Sequence, residues 1–456
     1  MKPPASIQSS RGSALPRRSF LRAAALAGAA IGTHALPALA RQLPAAPASS
    51  QPGSSRPPTG RLTKYTVLTT FPGERSSANV GDQLIEVALK RLVEREKGPT
   101  QFLTIFREDP LEERLDEINS TAAILLPGFA IRDVPMYPGC YRLVADLDRI
   151  RVPLIPIGAN WNMYPGDAES RRTLRYSPET TAFLQRVAAG VEHLSCREHF
   201  VCEVLRQHGI ANTRMTGDPV WYDSDFFGRP MHRPETIERV VFSPPLSAFY
   251  RAQAEEVLVL LAELFPKAER YCAMHLTDAR VSPFGDKRAT NDASMRSDVA
   301  EKNAFVRRRA QELGFELREM AGDVAKLDLY RECDLHVGYE CHAHLAFLRQ
   351  RRPSVLIAED ARGVGFNYTL GVGGFDGFVR RGPGPTRSAK EGGTSGYCVS
   401  EAEFASAPTR PDLVPALRQF LREECASRFR RYLGLPDFID ETYAKVMAPF
   451  LRSLPV

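Results

Sequence analysis

Val337-Gly338-Tyr339-Glu340-Cys341-His342-Ala343-His344-Leu345 is the stretch on which the reading of this chain turns. It follows an acidic helical segment and precedes the apolar run Ser354-Val355-Leu356-Ile357-Ala358. A short buried strand is expected to end at Gly338 and a helix to begin near Cys341. That places His342 at the carboxyl end of a parallel strand, where open α/β sheets bind their ligands. It also places it beside a helix N-terminus, where free N–H groups and the macrodipole favour anions. An imidazole there points to acid–base chemistry on an anionic substrate.

Working outward, short apolar runs alternate with amphipathic segments. Tyr65–Phe71 reads as a strand leading to Asn79-Val80-Gly81-Asp82, with Asp82 placed to cap a helix running through Glu94. Phe102–Phe106, Ala122–Leu126, Leu154–Ile157 and His193–Cys196 read as strands, with helices over Leu111–Ile118, Thr181–Ala189 and His199–His208. A second series runs through strands at Val240–Phe242, Tyr271–His275 and Phe315–Met320, with helices at Ala252–Leu264, Asp298–Gly314 and Val324–Arg331. Alternation of this kind predicts α/β architecture with parallel sheets. The expected organisation is two Rossmann-like doubly wound domains, residues 62–232 and 233–380, with a cleft between them. Residues 381–410 are expected to form a mobile loop, and 411–456 a helical segment broken at Gly434 and Pro436.

Composition is that of a soluble globular protein, 43% hydrophobic and 25% charged, with a formal charge of +6. No basic stripe is interleaved with aromatics, so nucleic acid is not an expected partner. The eight cysteines form no Cys-x-x-Cys pair and read as buried structural thiols, and no metal site is expected. Residues 16–22, Pro-Arg-Arg-Ser-Phe-Leu-Arg, precede a short Ala/Gly run and Ala38-Leu39-Ala40. A charged region, a weakly apolar region and a small-residue cleavage site in that order resemble a twin-arginine signal peptide over residues 1–40. The expectation is export by the twin-arginine machinery to the periplasm. Residues 41–61, rich in Pro, Ala, Ser and Gly, read as a flexible linker.

Several positions could carry chemistry. Gly81 would let the backbone approach a ligand closely, while Asp82 would bind a sugar hydroxyl or relay a proton, or simply cap its helix. Arg197 follows a strand and could hold a carboxylate or phosphate in a bidentate fork, or pair with Glu198. His342 and His344, two apart, diverge on a helix and would not share one metal. In Asp360-Ala361-Arg362-Gly363, Arg362 could aim at the same cleft or sit on a surface loop. Gly371, Gly373 and Gly374 read as a turn. No Gly-x-Ser-x-Gly, His-Glu-x-x-His or phosphate-loop pattern is present.

Taken together these residues resemble the polysaccharide pyruvyl transferase family. The resemblance rests on Asn79-Val80-Gly81-Asp82, on Arg197-Glu198 followed by Gly209 and Asp218-Pro219, and on Val337–His342 followed by Pro353–Ala358. It implies a fold like the GT-B glycosyltransferases. The implied activity is transfer of a pyruvyl group from phosphoenolpyruvate to two hydroxyls of a saccharide acceptor as a ketal. The small anionic donor is a co-substrate, and no further cofactor is implied. Asp82, Arg197 and His342 fall on the family's catalytic positions. Arg362 falls on its substrate-binding lysine, and Asn79, Gly81, Gly338 and Glu340 lie in the motifs around them. Glu340 stands where the family has arginine, and a carboxylate beside the imidazole would favour imidazolium at His342. Two other readings stay open: an envelope protein that binds glycans on the same fold without catalysis, and a nucleotide-sugar glycosyltransferase.

Overall fold

The structure, a computed structural model, describes residues 62–70, 78–132, 136–276, 289–381, 387–388 and 401–456. The expected signal peptide and linker lie outside the described residues. The chain from Arg61 to Val456 forms one compact unit.

A first parallel sheet comprises β1 (Thr63–Thr69), β2 (Thr100–Phe106), β3 (Ile124–Pro127) and β4 (Leu154–Ile157), in the order β2-β1-β3-β4. The short parallel pair β5 (Leu194–Cys196) and β6 (Thr213–Met215) adjoins β4, because the Ala159 N–H donates to the Ser195 carbonyl at 2.8 Å. Its helices include α1 (Val80–Lys97), α2 (Leu115–Asn119), α3 (Pro178–Ala189) and α4 (His199–Gln207). β3 and β4 are buried along their whole length, as expected of parallel strands covered on both faces. In α1, Leu84, Ile85, Ala88, Leu89, Leu92 and Val93 form the buried stripe.

The second sheet comprises β7 (Arg239–Ser243), β8 (Glu269–Met274), β9 (Glu316–Glu319), β10 (Leu335–Gly338), β11 (Ser354–Ala358) and β12 (Gly374–Asp376). All its pairings are parallel, in the order β9-β8-β7-β10-β11-β12. Read in chain order this is the 3-2-1-4-5-6 winding, whose direction reverses between β7 and β10. The pair packs tightly there: a Cβ on Gly338 would lie 2.4 Å from the Ser243 carbonyl oxygen. Helices α5 (Arg251–Leu264), α6 (Ala289–Glu312), α7 (Cys341–Arg349) and α8 (Ala361–Leu370) belong to this sheet.

Helices α9 (Leu413–Ser427), α10 (Leu435–Thr442) and α11 (Ala448–Arg452) end the chain, and the last returns to the first sheet. There the Tyr65 hydroxyl donates to the Pro455 carbonyl at 2.6 Å, and the Lys97 ammonium to that of Arg452 at 2.7 Å. One apolar cluster accordingly runs from Tyr65 through the second sheet to Leu454.

Several boundaries depart from expectation for identifiable reasons. Asn79, not Asp82, caps α1, its side-chain oxygen accepting from the Gly81 N–H at 2.8 Å. Residues around Arg362 form the first turn of α8, capped by Asp360, rather than a loop. Pro436 lies in the first turn of α10, where its missing N–H costs nothing, so it starts a helix. Gly434 caps that helix and marks the expected break, and a further one falls at Arg428 and Phe429, both left-handed. Glu401–Ser406 is helical, so the segment expected to be a mobile loop is ordered at that end, and 389–400 lies outside the described residues. Val324–Arg331 is a 3-10 helix. Gly371 and Gly373 do make the expected turn, with φ of 69° and 62°.

Candidate active site

The carboxyl ends of both sheets open into one pocket of about 750 Å³, counting the part continuous with solvent. From the first sheet's side it is lined by Thr70, Asn79, Asp82, Arg107, Gly128, Arg132, Asn160, Asn162 and Arg197. From the second side come Leu246, Tyr339, Glu340, Cys341, His342, Glu359, Asp360, Arg362 and Gly363. The topology explains the gathering. Arg107, Gly128, Arg197, Tyr339 and Glu359 are each the first residue after a strand. Thr70 and Gly128 flank the reversal of the first sheet, and Leu246 and Tyr339 that of the second, which is where doubly wound sheets leave a crevice.

Helix α1 leans across the gap at this point. The Val80 N–H donates to the His275 carbonyl at 3.2 Å, and the Gly322 N–H to that of Ala78 at 2.9 Å. A Cβ on Gly81 would lie 2.1 Å from Nδ1 of His342. Gly81 therefore brings α1 against the imidazole rather than against a ligand, and Gly338 serves strand packing rather than the pocket lining.

The N-termini of α1, α4, α7 and α8 converge here, so their macrodipoles add at the pocket. Asn79 and Asp360 accept hydrogen bonds from their own first turns, as does Glu198, from the N–H groups of Phe200 at 2.5 Å and Val201 at 3.1 Å. Glu340, at the same position on α7, makes no such bond. Glu340 is among the residues lining the pocket.

Glu198 is thereby occupied, and the expected Arg197–Glu198 pairing gives way to Asp218, whose Oδ2 lies 3.8 Å from Nη1 of Arg197. The Arg197 guanidinium is 2% exposed and sits 4.5 Å from the Phe366 ring centroid. Among the described residues its Nε and Nη2 have no hydrogen-bond partner, and neither does Nε2 of His342. Buried donors left unpaired cost about 1–3 kcal/mol each, so their concentration here marks a place where an anion would be stabilised. Arg362, by contrast, is already engaged, its Nε donating to Asp360 at 3.0 Å and its Nη2 at 2.5 Å. His344 diverges as expected, turning its Nδ1 to Ser354 at 2.7 Å.

The expected imidazolium at His342 is not supported. Burial, then the positive charge of Arg197, then His275 and Arg362, hold its pKa well below the ordinary value. His342 is thus neutral at pH 7 and suited to accept a proton. Glu340 moves the opposite way: burial, opposed by Arg362 and reinforced by Glu359, pushes its pKa up to about 8. Burial and Asp360 also raise that of Glu359, whose oxygens accept from the N–H groups of Leu246 at 2.7 Å and Ser247 at 3.0 Å. The pocket pairs a neutral imidazole with a protonated carboxyl, the separation that assigns base and acid. Arg107, Asn160, Asn162, Glu359 and Asp360 were not singled out from sequence. Position immediately after a strand was the available signal for Arg107 and Glu359.

The family model for polysaccharide pyruvyl transferases matches residues 79–361, which begin at the cap of α1 and end at the first residue of α8. The chain belongs to the polysaccharide pyruvyl transferase family. As a polysaccharide pyruvyl transferase family member it is built for sugar-directed transfer. No curated protein matches the sequence. Among solved structures, UDP-GlcNAc 2-epimerase from Neisseria meningitidis bound to UDP-GlcNAc is similar at 10% identity, with 86% of this chain and 100% of that one covered and a TM-score of 0.41. HepE of Anabaena in complex with UDP and glucose is 13% identical over 85% of this chain and 100% of that one, with a TM-score of 0.38. MnaA of S. aureus with UDP is 13% identical over 67% and 82%, with a TM-score of 0.39. The two doubly wound parallel sheets and the returning C-terminal helix give this family member the Rossmann-like α/β class expected from its sequence.

Proposed function

We propose that the protein transfers a pyruvyl group from phosphoenolpyruvate, or a donor of the same enol-phosphate class, to two hydroxyls of a saccharide as a cyclic ketal. The observation that carries this reading is Arg197. A fully buried guanidinium with two unpartnered donors, in a pocket that also holds an unpartnered imidazole nitrogen, suits a carboxylate held beside a reacting carbon. In the proposed reaction Arg197 holds the donor carboxylate and the convergent helix N-termini face the phosphate. Glu340 delivers a proton to the methylene carbon, leaving an oxocarbenium-like centre at C2. An acceptor hydroxyl attacks C2 as Asp82 or His342 takes its proton. The C2–O bond to phosphate then breaks, and the second hydroxyl closes the ketal. One hydroxyl proton ends on the new methyl group and the other leaves with hydrogen phosphate.

Incubating the protein with phosphoenolpyruvate and a panel of saccharides should release phosphate only when an acceptor is present. Saccharide binding with no phosphate release would leave the glycan-binding reading in its place. That reading draws support from the twin-arginine pattern at residues 16–22, which would take the chain away from a cytoplasmic donor. Export is part of the proposal. Replacing Arg17 and Arg18 by lysine should retain the protein in the cytoplasm; unchanged recovery from the periplasm would refute the assignment.

A further inference from the structure

We propose that this pocket also runs the chemistry toward water, cleaving an existing pyruvate ketal on a glycan to release pyruvate and the free diol. The inference rests on the preceding reading that the pocket handles a pyruvyl group. It starts from the anion-holding groups. Phosphoenolpyruvate brings a carboxylate and a phosphate, whereas a pyruvate ketal brings one carboxylate. Among the described residues Arg197 leaves two buried donors of one fork, Nε and Nη2, without a partner, whereas Arg107, 3.8 Å from Glu108, leaves Nε alone and Arg362 is closed on Asp360. One open fork matches one carboxylate. Glu340, standing where the family has arginine, contributes a carboxyl instead of a cation.

The second observation is where that carboxyl goes. Among the residues capping the helices that meet at the pocket, Asn79, Glu198 and Asp360 bond back to their own helices, and Glu340 does not. Glu340 lines the pocket, and its carboxyl is not spent on the first turn of its own helix. The groups acting on it are Arg362, Glu359, Lys302 and Asp82, and burial keeps it protonated near neutral pH. Ketal cleavage needs that combination, since the leaving oxygen must be protonated as its bond to C2 breaks.

In the proposed step Glu340 donates its proton to one ketal oxygen and that C2–O bond breaks. The centre at C2 is oxocarbenium-like, with its carboxylate on Arg197. Water adds to C2 as Asp82 or His342 takes one of its protons. The resulting hemiketal releases the second sugar oxygen, which takes up a proton as the carbonyl of pyruvate forms. One water is consumed, no redox change occurs, and Glu340 regains a proton from the base through solvent.

The test supplies methyl 4,6-O-(1-carboxyethylidene)-β-D-galactopyranoside, its glucoside analogue and a 3,4-linked galactoside to the full chain. Pyruvate is followed through lactate dehydrogenase and NADH. Phosphate release from phosphoenolpyruvate with the corresponding unsubstituted glycosides is measured on the same preparation. The wild-type protein should release pyruvate. Glu340→Gln should slow that release by about 10²–10⁴-fold at unchanged melting temperature or above. Glu340→Arg, which removes the proton donor, should abolish ketal cleavage. The rate should also fall as pH rises through the titration of Glu340. Failure to detect pyruvate from all three ketals overturns the inference. Phosphate release in that same preparation would show the transfer reading surviving alone, and its absence would remove that reading too. Wild-type activity retained in Glu340→Gln would overturn the role of Glu340.

Discussion

Gly81→Ala tests the junction between α1 and the imidazole on which the site depends. A Cβ there would meet Nδ1 of His342 at 2.1 Å, Cγ at 2.5 Å and Cβ at 2.8 Å. Real Cβ contacts essentially never fall below 3.0 Å, so ring and helix must separate by about 1 Å. The imidazole has little room to retreat, because it is 8% exposed and the second residue of α7. Overpacking of this kind costs about 1–3 kcal/mol. In a chain of this length that lowers the melting temperature by only a few degrees. Function should suffer more, since displacing a reacting group by about 1 Å costs about 10²-fold in rate. The measurement pairs a thermal melt with acceptor-dependent phosphate release, and follows the His342 ring by NMR. Gly190→Ala is the control: its Cβ would lie 3.6 Å from the nearest atom, an ordinary contact on an exposed turn. A Gly81→Ala protein with wild-type melting, rate and ring resonances would show that α1 and His342 do not touch, and the site geometry would have to be abandoned.

Other perturbations separate the roles of the charged groups. Glu340 titrates near 4.3 when unfolded and at about 8 when folded, so its stabilising share is complete below about pH 4.3 and disappears as pH rises through 8. Glu340→Gln should therefore melt increasingly above wild type from pH 5 to 8, by on the order of a few kcal/mol; parallel profiles would refute the buried protonated carboxyl. Arg197→Met leaves Asp218 buried without its counter-charge and should cost about 3–5 kcal/mol. Adding Asp218→Asn should recover most of that stability in denaturant melts while the melting shift induced by phosphoenolpyruvate stays lost; a retained shift would exclude Arg197 as the anion site. Tyr164→Phe removes a 2.7 Å hydrogen bond to the Ala407 carbonyl and a 3.1 Å one shared with the Tyr250 hydroxyl, and should cost about 1–2 kcal/mol in urea unfolding. Acidification acts through the buried imidazoles: burial lowers the pKa values of His275 and His344 to about 3 and that of His336 well below its usual value. Each contributes stability above about pH 6.5 that is lost as pH falls, so His344→Gln should make the acid limb of a melting profile shallower.

What was legible from sequence was local. An apolar run ending at Gly338 and a helix opening at Cys341 follow from patterning, and parallel winding follows from repetition of that unit. The winding alone requires that the carboxyl ends share one edge, so Asp82, Arg197, His342 and Arg362 could be grouped although they lie far apart along the chain. Strand order within the edge is not written in any one segment, so although Arg107 and Glu359 each directly follow a strand, nothing local shows that they and Asn160 share the pocket. Capping competition is equally short of sequence signal: Asn79 and Asp82 both suit a helix start, and the register of α1 against His275 decides for Asn79.

The error over His342 has a different origin. Glu340 is two residues away in sequence, so it looked like the group that would set the charge of the ring. In the folded chain burial acts first, and the groups that then act on the ring are Arg197, from the other sheet, His275, and Arg362, one helix further on. The carboxyl of Glu340 has meanwhile become neutral under its own burial. The protonation of the site is therefore decided by which side chains share the pocket. Exchanging acid and base between His342 and Glu340 changes the chemistry on offer, because a protonated carboxyl can supply the proton that a neutral imidazole lacks.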